Sequence, residues 1–143
     1  MIKPTTNTDD FLKICDKVKG TKDCRLKENR LFSYMISGKF NGKIFTYVSY
    51  NKDKMNGCVI LTLGRDLVGD NTLYIVYMFI DRHYPELSMK YMKFIEDKAK
   101  EFKADKISFT THRNPKAVER KYGRYGYKHR RSVIEKIITK EVI

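Results

Sequence analysis

The residues with the most capacity for chemistry crowd into Arg113–Arg131. There Arg113, Lys116, Arg120, Lys121, Arg124, Lys128, His129, Arg130 and Arg131 alternate with Tyr122, Tyr125 and Tyr127. Guanidinium groups fork onto phosphate oxygens, and tyrosine rings stack on bases, so Arg113, Arg120, Arg124, Lys128, Arg130 and Arg131 form a candidate nucleic-acid-binding set. The blander reading is a solvated, lysine-rich surface, and the lysine-rich helical stretches elsewhere in the chain support it. Other chemistries find less material. His83, His112 and His129 are scattered, with no Cys or carboxylate at metal-ligand spacing, so no metal site is expected. Cys15 falls on an apolar helical face and Cys58 in an apolar strand, where thiols are inert core groups. The central apolar run carries no carboxylate; Asp70 precedes it, and Asp81 ends it in a position suited to a turn or cap.

These residues need elements to hold them. Leu73–Ile80 has the length and the β-branched and aromatic content of a strand. Pro85 follows where a first helical turn tolerates proline. Leu87, Tyr91, Phe94, Ile95, Ala99 and Phe102 then share one helical face, with Lys90, Lys93, Glu96, Asp97 and Lys100 opposite. Lys106–Thr111 reads as a second strand. Asn114-Pro115 caps and starts a helix running to Tyr122, and Tyr125-Gly126-Tyr127 turns the chain into a last strand over Lys128–Thr139. Upstream, Thr8-Asp9-Asp10 opens a helix with a Phe11, Ile14, Cys15, Val18 stripe that stops at Gly20. A second helix spans about Asp23 to Ile36. Asn41-Gly42 has the chemistry of a tight hairpin turn. Lys43–Tyr50 and Cys58–Leu63 are strands, separated by a polar turn over Asn51–Gly57. A parallel strand pair joined by a helix leaves a crevice at the strands' carboxyl ends, beside helix N–H groups with a partial positive charge, which is a natural pyrophosphate site.

Asn114-Pro-Lys-Ala117, Tyr122-Gly-Arg-Tyr-Gly126-Tyr127 and the Ile80–Phe102 block together resemble the GCN5-related N-acetyltransferase (GNAT) superfamily. The first is similar to its Asn-x-x-Ala helix opening, and the second to its Tyr-x-x-x-Gly-Phe ending. The third stands where that family has its acetyl-CoA loop and long helix. The resemblance spans roughly Gly42 to Ile138. It implies an α/β GNAT-like fold: a mixed central sheet with antiparallel N-terminal hairpins, a parallel strand–helix–strand crossover and flanking helices. It implies transfer of an acetyl or acyl group from acetyl-CoA to an amine, with Tyr122 as the acid that protonates the leaving thiolate. Tyr125 is the fallback. Phe79, Ile80, Arg82, His83, Leu87, Ser88 and Asn114 fall at cofactor-binding positions. The family's loop reads Arg/Gln-x-x-Gly-x-Gly/Ala; here His83 takes the first slot, Glu86 the first glycine slot and Ser88 the small-residue slot. In the neighbouring register Arg82 comes first. With the glycines replaced, Arg82, His83 and Lys90 are the side chains left to hold phosphates. Family members often dimerise through their last strands, which points to Val133–Ile138.

Size and composition set the frame. The 143 residues suffice for one domain, 1–143, with its own core, and 41% hydrophobic content fits a globular chain. A formal charge of +13 favours a polyanionic partner, whether nucleic acid, nucleotide or an acidic protein. Three cysteines in an odd count, with a polar N-terminus, point to a reducing, cytoplasmic compartment, and no apolar run approaches a membrane span. A monomer or homodimer is expected. Two functions stay open: an N-acyltransferase, or an inactive protein of the same fold that binds nucleic acid or another acidic macromolecule through its basic C-terminal face.

Overall fold

The computed structural model describes residues 1–19, 28–110, 114–130, 136 and 138. They fall in two units, Met1–His112 and Arg113–Ile143.

The first unit is built on a five-stranded sheet whose spatial order is the chain order, β1 (Lys3–Pro4), β2 (Ile44–Asn51), β3 (Lys54–Arg65), β4 (Asn71–Ile80) and β5 (Lys106–Ser108). The first four pair antiparallel and β4 pairs β5 in parallel. Helix α3 (Pro85–Glu101) is the crossover that a parallel pair requires. β3 is buried from Met55 to Leu61, as expected of an apolar run covered on both faces.

Helices α1 (Thr8–Lys19) and α2 (Glu28–Asn41) cover one face. Phe11, Ile14, Cys15 and Val18 recur at helical spacing and are buried with Leu31 and Met35 against Val48, Met55, Cys58 and Ile60. Each fully buried side chain of this size contributes about 1.5–3 kcal/mol. The expected start of the second helix, near Asp23, lies outside the described residues, as does Cys24. Its end corrects the sequence reading. Asn41-Gly42 makes no hairpin. The helix runs through Asn41, and Gly42 takes φ +65° while its N–H donates to the Gly38 carbonyl at 3.2 Å. A left-handed residue closes a helix as readily as it turns a hairpin. The actual hairpin turn is Lys52-Asp53, with Lys52 at φ 56°, and Asn51 opposite Lys54. It is shorter than the Asn51–Gly57 turn expected, because Met55 and Gly57 join the ladder, with Asn56 bulged between them.

Helix α3 covers the other face. Tyr91, Met92, Ile95 and Ala99 are buried, and Met92 is an addition to the stripe read from the sequence. Phe94 packs edge-on against Tyr47 of β2, and Phe102 stacks on Phe45. Tyr91 lies over Gly57, where a Cβ would come within 2.6 Å of its ring. β5 ends at Ser108, earlier than the Thr111 expected; Phe109 and Thr110 are not strand, and Thr111 lies outside the described residues.

In the second unit, Asn114 caps α4 (Pro115–Tyr122), accepting the Lys116 N–H at 3.0 Å, and a 3-10 turn over Gly123–Tyr125 leads to Gly126 at φ +90°. Asn, Pro and Gly hold the places their conformational preferences predict. The last strand is not seen: Lys128–Arg130, Lys136 and Ile138 carry no strand pairing, and the rest of Lys128–Thr139 lies outside the described residues.

Candidate functional site

The β4–β5 ladder joins Thr72, Leu73 and Tyr74 to Lys106, Ile107 and Ser108 and ends there, while β4 continues to Ile80. On its other side β4 changes register against β3: Ile60 faces Tyr77 and Leu61 faces Ile75, so Val76 is a bulge. A bulge sharpens the local twist and re-aims a strand. Pairing of the two parallel strands thus stops well short of the carboxyl end of β4, the region in which open α/β sheets bind ligands. Phe79 and Ile80, half-buried, end β4 at this opening.

The turn from β4 into α3 is organised by Asp81. Its carboxylate is buried, and Oδ1 accepts both the His83 main-chain N–H at 2.9 Å and His83 Nδ1 at 2.7 Å. Lys54 Nζ lies 3.7 Å from Oδ2. These donors, the His83 N–H first, hold the Asp81 carboxyl below the usual carboxylate range. The turn spends most of its own amides. Tyr84 N–H donates to Asp81 O at 3.0 Å, Pro85 has none, and Leu87 N–H donates to Tyr84 O at 3.0 Å. The glycine-lined amide cradle implied by the family resemblance is absent from these described residues. What the turn offers an anion is side chains: Arg82, His83 and Lys90 are exposed, with the Glu86 carboxylate among them. Leu87 and Ser88 are half-buried on the first turn of α3. A polyphosphate fits this donor set through cationic side chains rather than through the backbone.

The second unit holds the remaining candidates. Asn114 spends its side-chain oxygen on capping α4. Tyr122 is half-buried, with its ring 6.2 Å from that of Tyr127 and Lys121 Nζ 5.3 Å from its centroid. Tyr125 stands apart. Its phenol oxygen is buried without a hydrogen-bond partner among the described residues, while the Arg124 guanidinium lies 4.9 Å from its ring centroid. Lys116, Arg120, Lys121, Arg124, Lys128 and Arg130 are exposed, and Glu119 is the one carboxylate among the described residues here, accepting the His129 N–H at 2.8 Å. Arg113, Arg131 and His112 lie outside the described residues.

Phe79, Ile80, Arg82, His83, Leu87 and Ser88 are thus gathered on one strand–turn–helix, and Asn114 and Tyr122 on α4. Sequence reasoning missed the Asp81–His83 pair. The Asp-x-His spacing after a strand was its signal, since an aspartate there turns back to the amide two residues on. Among the described residues, no three His, Cys, Asp or Glu side chains group as a metal site, and no helix is long and apolar enough to cross a membrane.

No family model matches the chain, and no curated protein matches it. Solved structures do. The aminoglycoside 6'-N-acetyltransferase AAC(6')-IG of Acinetobacter haemolyticus shares 11% identity at a TM-score of 0.72, with 99% of each chain covered. AAC(6')-Ih of Acinetobacter baumannii shares 11% at 0.73, covering 97% of this chain and 99% of that one. AAC(6')-Iy, in complex with the bisubstrate analogue CoA-S-monomethyl-acetylneamine, shares 7% at 0.74, with 98% of each chain covered. At such identities the likeness is one of fold.

Proposed function

We propose that this chain, which has the fold of the GCN5-related N-acetyltransferases, is an N-acyltransferase that moves an acetyl group from acetyl-CoA to an amine. The observation that carries the reading is the early end of the β4–β5 ladder beside the bulge at Val76, opening next to the cationic turn at Arg82, His83 and Lys90. When bound, acetyl-CoA would supply a thioester carbon for the amine and a thiol as leaving group. Phe79, Ile80 and Leu87 would line its path, Arg82, His83 and Lys90 would pair with its phosphates beside Ser88, and Asn114 is the cofactor-binding candidate of the second unit. Asp81 orients His83 through Nδ1 and leaves Nε2 for the anion. Tyr122 would give its phenol proton to the departing sulfur and recover one, through water, from the nitrogen that gains the acetyl group, an exchange that nearly matched phenol and thiol acidities favour. Tyr125 is the second candidate for this role, supported by its buried, unpartnered oxygen. The same reading takes 1–143 as one domain working in the cytoplasm as a monomer or homodimer.

Calorimetric titration with acetyl-CoA and desulfo-CoA at two salt concentrations tests this. Micromolar binding of both supports it, and aminoglycosides are then the first amine acceptors to try, because related folds in the solved structures act on them. No heat at millimolar ligand removes it. A second reading, nucleic-acid binding, draws on the described cations of the second unit, Arg120, Arg124, Lys128 and Arg130 among them, facing a single carboxylate.

A further inference from the structure

On the β2 side of α3 lies a cavity of about 580 Å³, within the range that holds small organic molecules. Tyr50, Asn56, Tyr84, Leu87 and Phe94 form its walls. It shares His83, Leu87 and Lys90 with the acyl-donor site proposed above, and extends from them to Ser49 and Tyr50 of β2, whereas that site lies toward β5.

The aromatic walls are fixed in place. The Tyr50 hydroxyl donates to Asp10, the Tyr84 hydroxyl accepts from Asn51 Nδ2 at 2.7 Å, and the Phe94 ring is wedged on Tyr47. A buried polar chain runs from Tyr91 to Ser49 and Asn56, which line the cavity. Ser49 Oγ donates to Asn56 Oδ1 at 2.6 Å, so the Tyr91 hydroxyl, 2.8 Å away, donates to Ser49. Tyr91, Ser49 and Asn56 are 0%, 2% and 7% exposed. The chain of donors ends at Asn56, whose Nδ2 has no hydrogen-bond partner among the described residues. Asn56 thus brings to the cavity two N–H donors that no described protein group takes up, left for whatever fills it, water or ligand. At the rim, Glu86 and Asp97 offset Lys90 and Lys93, and Met1 and His83 also line it.

We propose that this cavity binds a small neutral ligand with a planar apolar body and a carbonyl acceptor, an aromatic amide or ketone, whose oxygen accepts from Asn56 Nδ2. The inference does not rest on acyl transfer. The probe is acetanilide, titrated into the isotope-labelled full chain and followed by amide NMR. Saturable, millimolar shifts are expected at the Asn56 side-chain amide and at the N–H groups of Leu87, Lys90 and Phe94, with Ile107 and Ser108 unmoved. Asn56→Asp keeps the acceptor for Ser49 and removes the donors, and should weaken binding about tenfold. Leu87→Trp, which fills the space, should abolish it. The proposal is overturned if the wild-type chain shows no saturable shift at these groups, if the shifts appear at β5 instead, or if a folded Asn56→Asp binds as well as wild type. Should Asn56→Asp not fold, undiminished binding by Leu87→Trp overturns it equally.

Discussion

Tyr122 and Tyr125 sit three residues apart on one short helix and its 3-10 extension, yet their environments separate them. Tyr122 is half-buried between the Tyr127 ring and the Lys121 ammonium, whereas Tyr125 buries a hydroxyl that has no hydrogen-bond partner among the described residues. A buried, unpaired hydroxyl costs its full desolvation. Under the assignment of Tyr122 as acid, Tyr122→Phe lowers kcat by about 100-fold or more with KM little changed. Tyr125→Phe then leaves kcat alone and raises stability by about 1 kcal/mol in urea unfolding. A collapse of kcat in Tyr125→Phe, with Tyr122→Phe unaffected, would transfer the role to Tyr125. At the same scale, Asp81 shows how a residue expected only to shape a turn also selects a histidine's orientation. The hydrogen bond to His83 Nδ1 fixes which ring nitrogen faces outward.

Elements show the same dependence on single contacts. The turn between β3 and β4 is tied by Asp66, which accepts the N–H groups of Val68 and Asp70 at 3.1 and 3.0 Å and pairs with Lys106 at the start of β5. Lys106 also reaches Asp70 at 3.3 Å. That contact with the ammonium, more than the turn's N–H groups, lowers the Asp66 carboxyl to about 2. A carboxyl with a depressed folded-state value stabilises the fold above its unfolded value, about 3.9, and loses that contribution as pH falls through the folded value. The thermal midpoint of the wild-type chain should therefore fall between about pH 4 and about pH 2, and Asp66→Asn should show a shallower fall over that window. The packing of α3 on the sheet turns on Gly57. The Tyr91 ring fills the space of a side chain there, and its hydroxyl is tethered to Ser49, so it cannot swing aside. Gly57→Ala should cost about 1–3 kcal/mol in urea unfolding.

Over the whole chain the dominant feature is charge. Thirty Lys and Arg residues against seventeen Asp and Glu leave an excess of thirteen. Any polyanion, nucleotide or nucleic acid, is drawn to such a molecule, so affinity alone does not distinguish the two readings, and its salt dependence does. If the second unit contacts a single-stranded oligonucleotide, charge reversal at Arg124 and Arg130 should lower the slope of log affinity against log salt by about two. If acyl transfer is the function, the same variants leave acetyl-CoA binding at the first unit's turn near its wild-type value.

Much of the fold was legible in the sequence because it depends on local preferences that add up. The period of Phe11, Ile14, Cys15 and Val18, the strand content of Leu73–Ile80, Pro85 at the first turn of α3, the Asn114-Pro115 cap and the left-handed Gly126 each report a rule that operates within a few residues. The motifs around Asn114 and Tyr122 pointed to the same fold that the solved structures share. Where two local outcomes satisfy one preference, the sequence could not choose: Gly42 suits a hairpin and a helix end alike, and only the extension of α2 through Asn41 decided for the latter. The site depended most on distance along the chain. The unpaired carboxyl end of β4 and the bulge at Val76 both arise from pairing with strands distant in the chain, which no window of residues contains. At the cavity, Ser49 and Asn56 come from neighbouring strands and Tyr91 reaches Ser49 only by packing α3 on the sheet, and the free end of the Asn56 amide exists because Ser49 occupies the other. Residue types determined which elements form; tertiary contact determined which polar groups were left for a ligand.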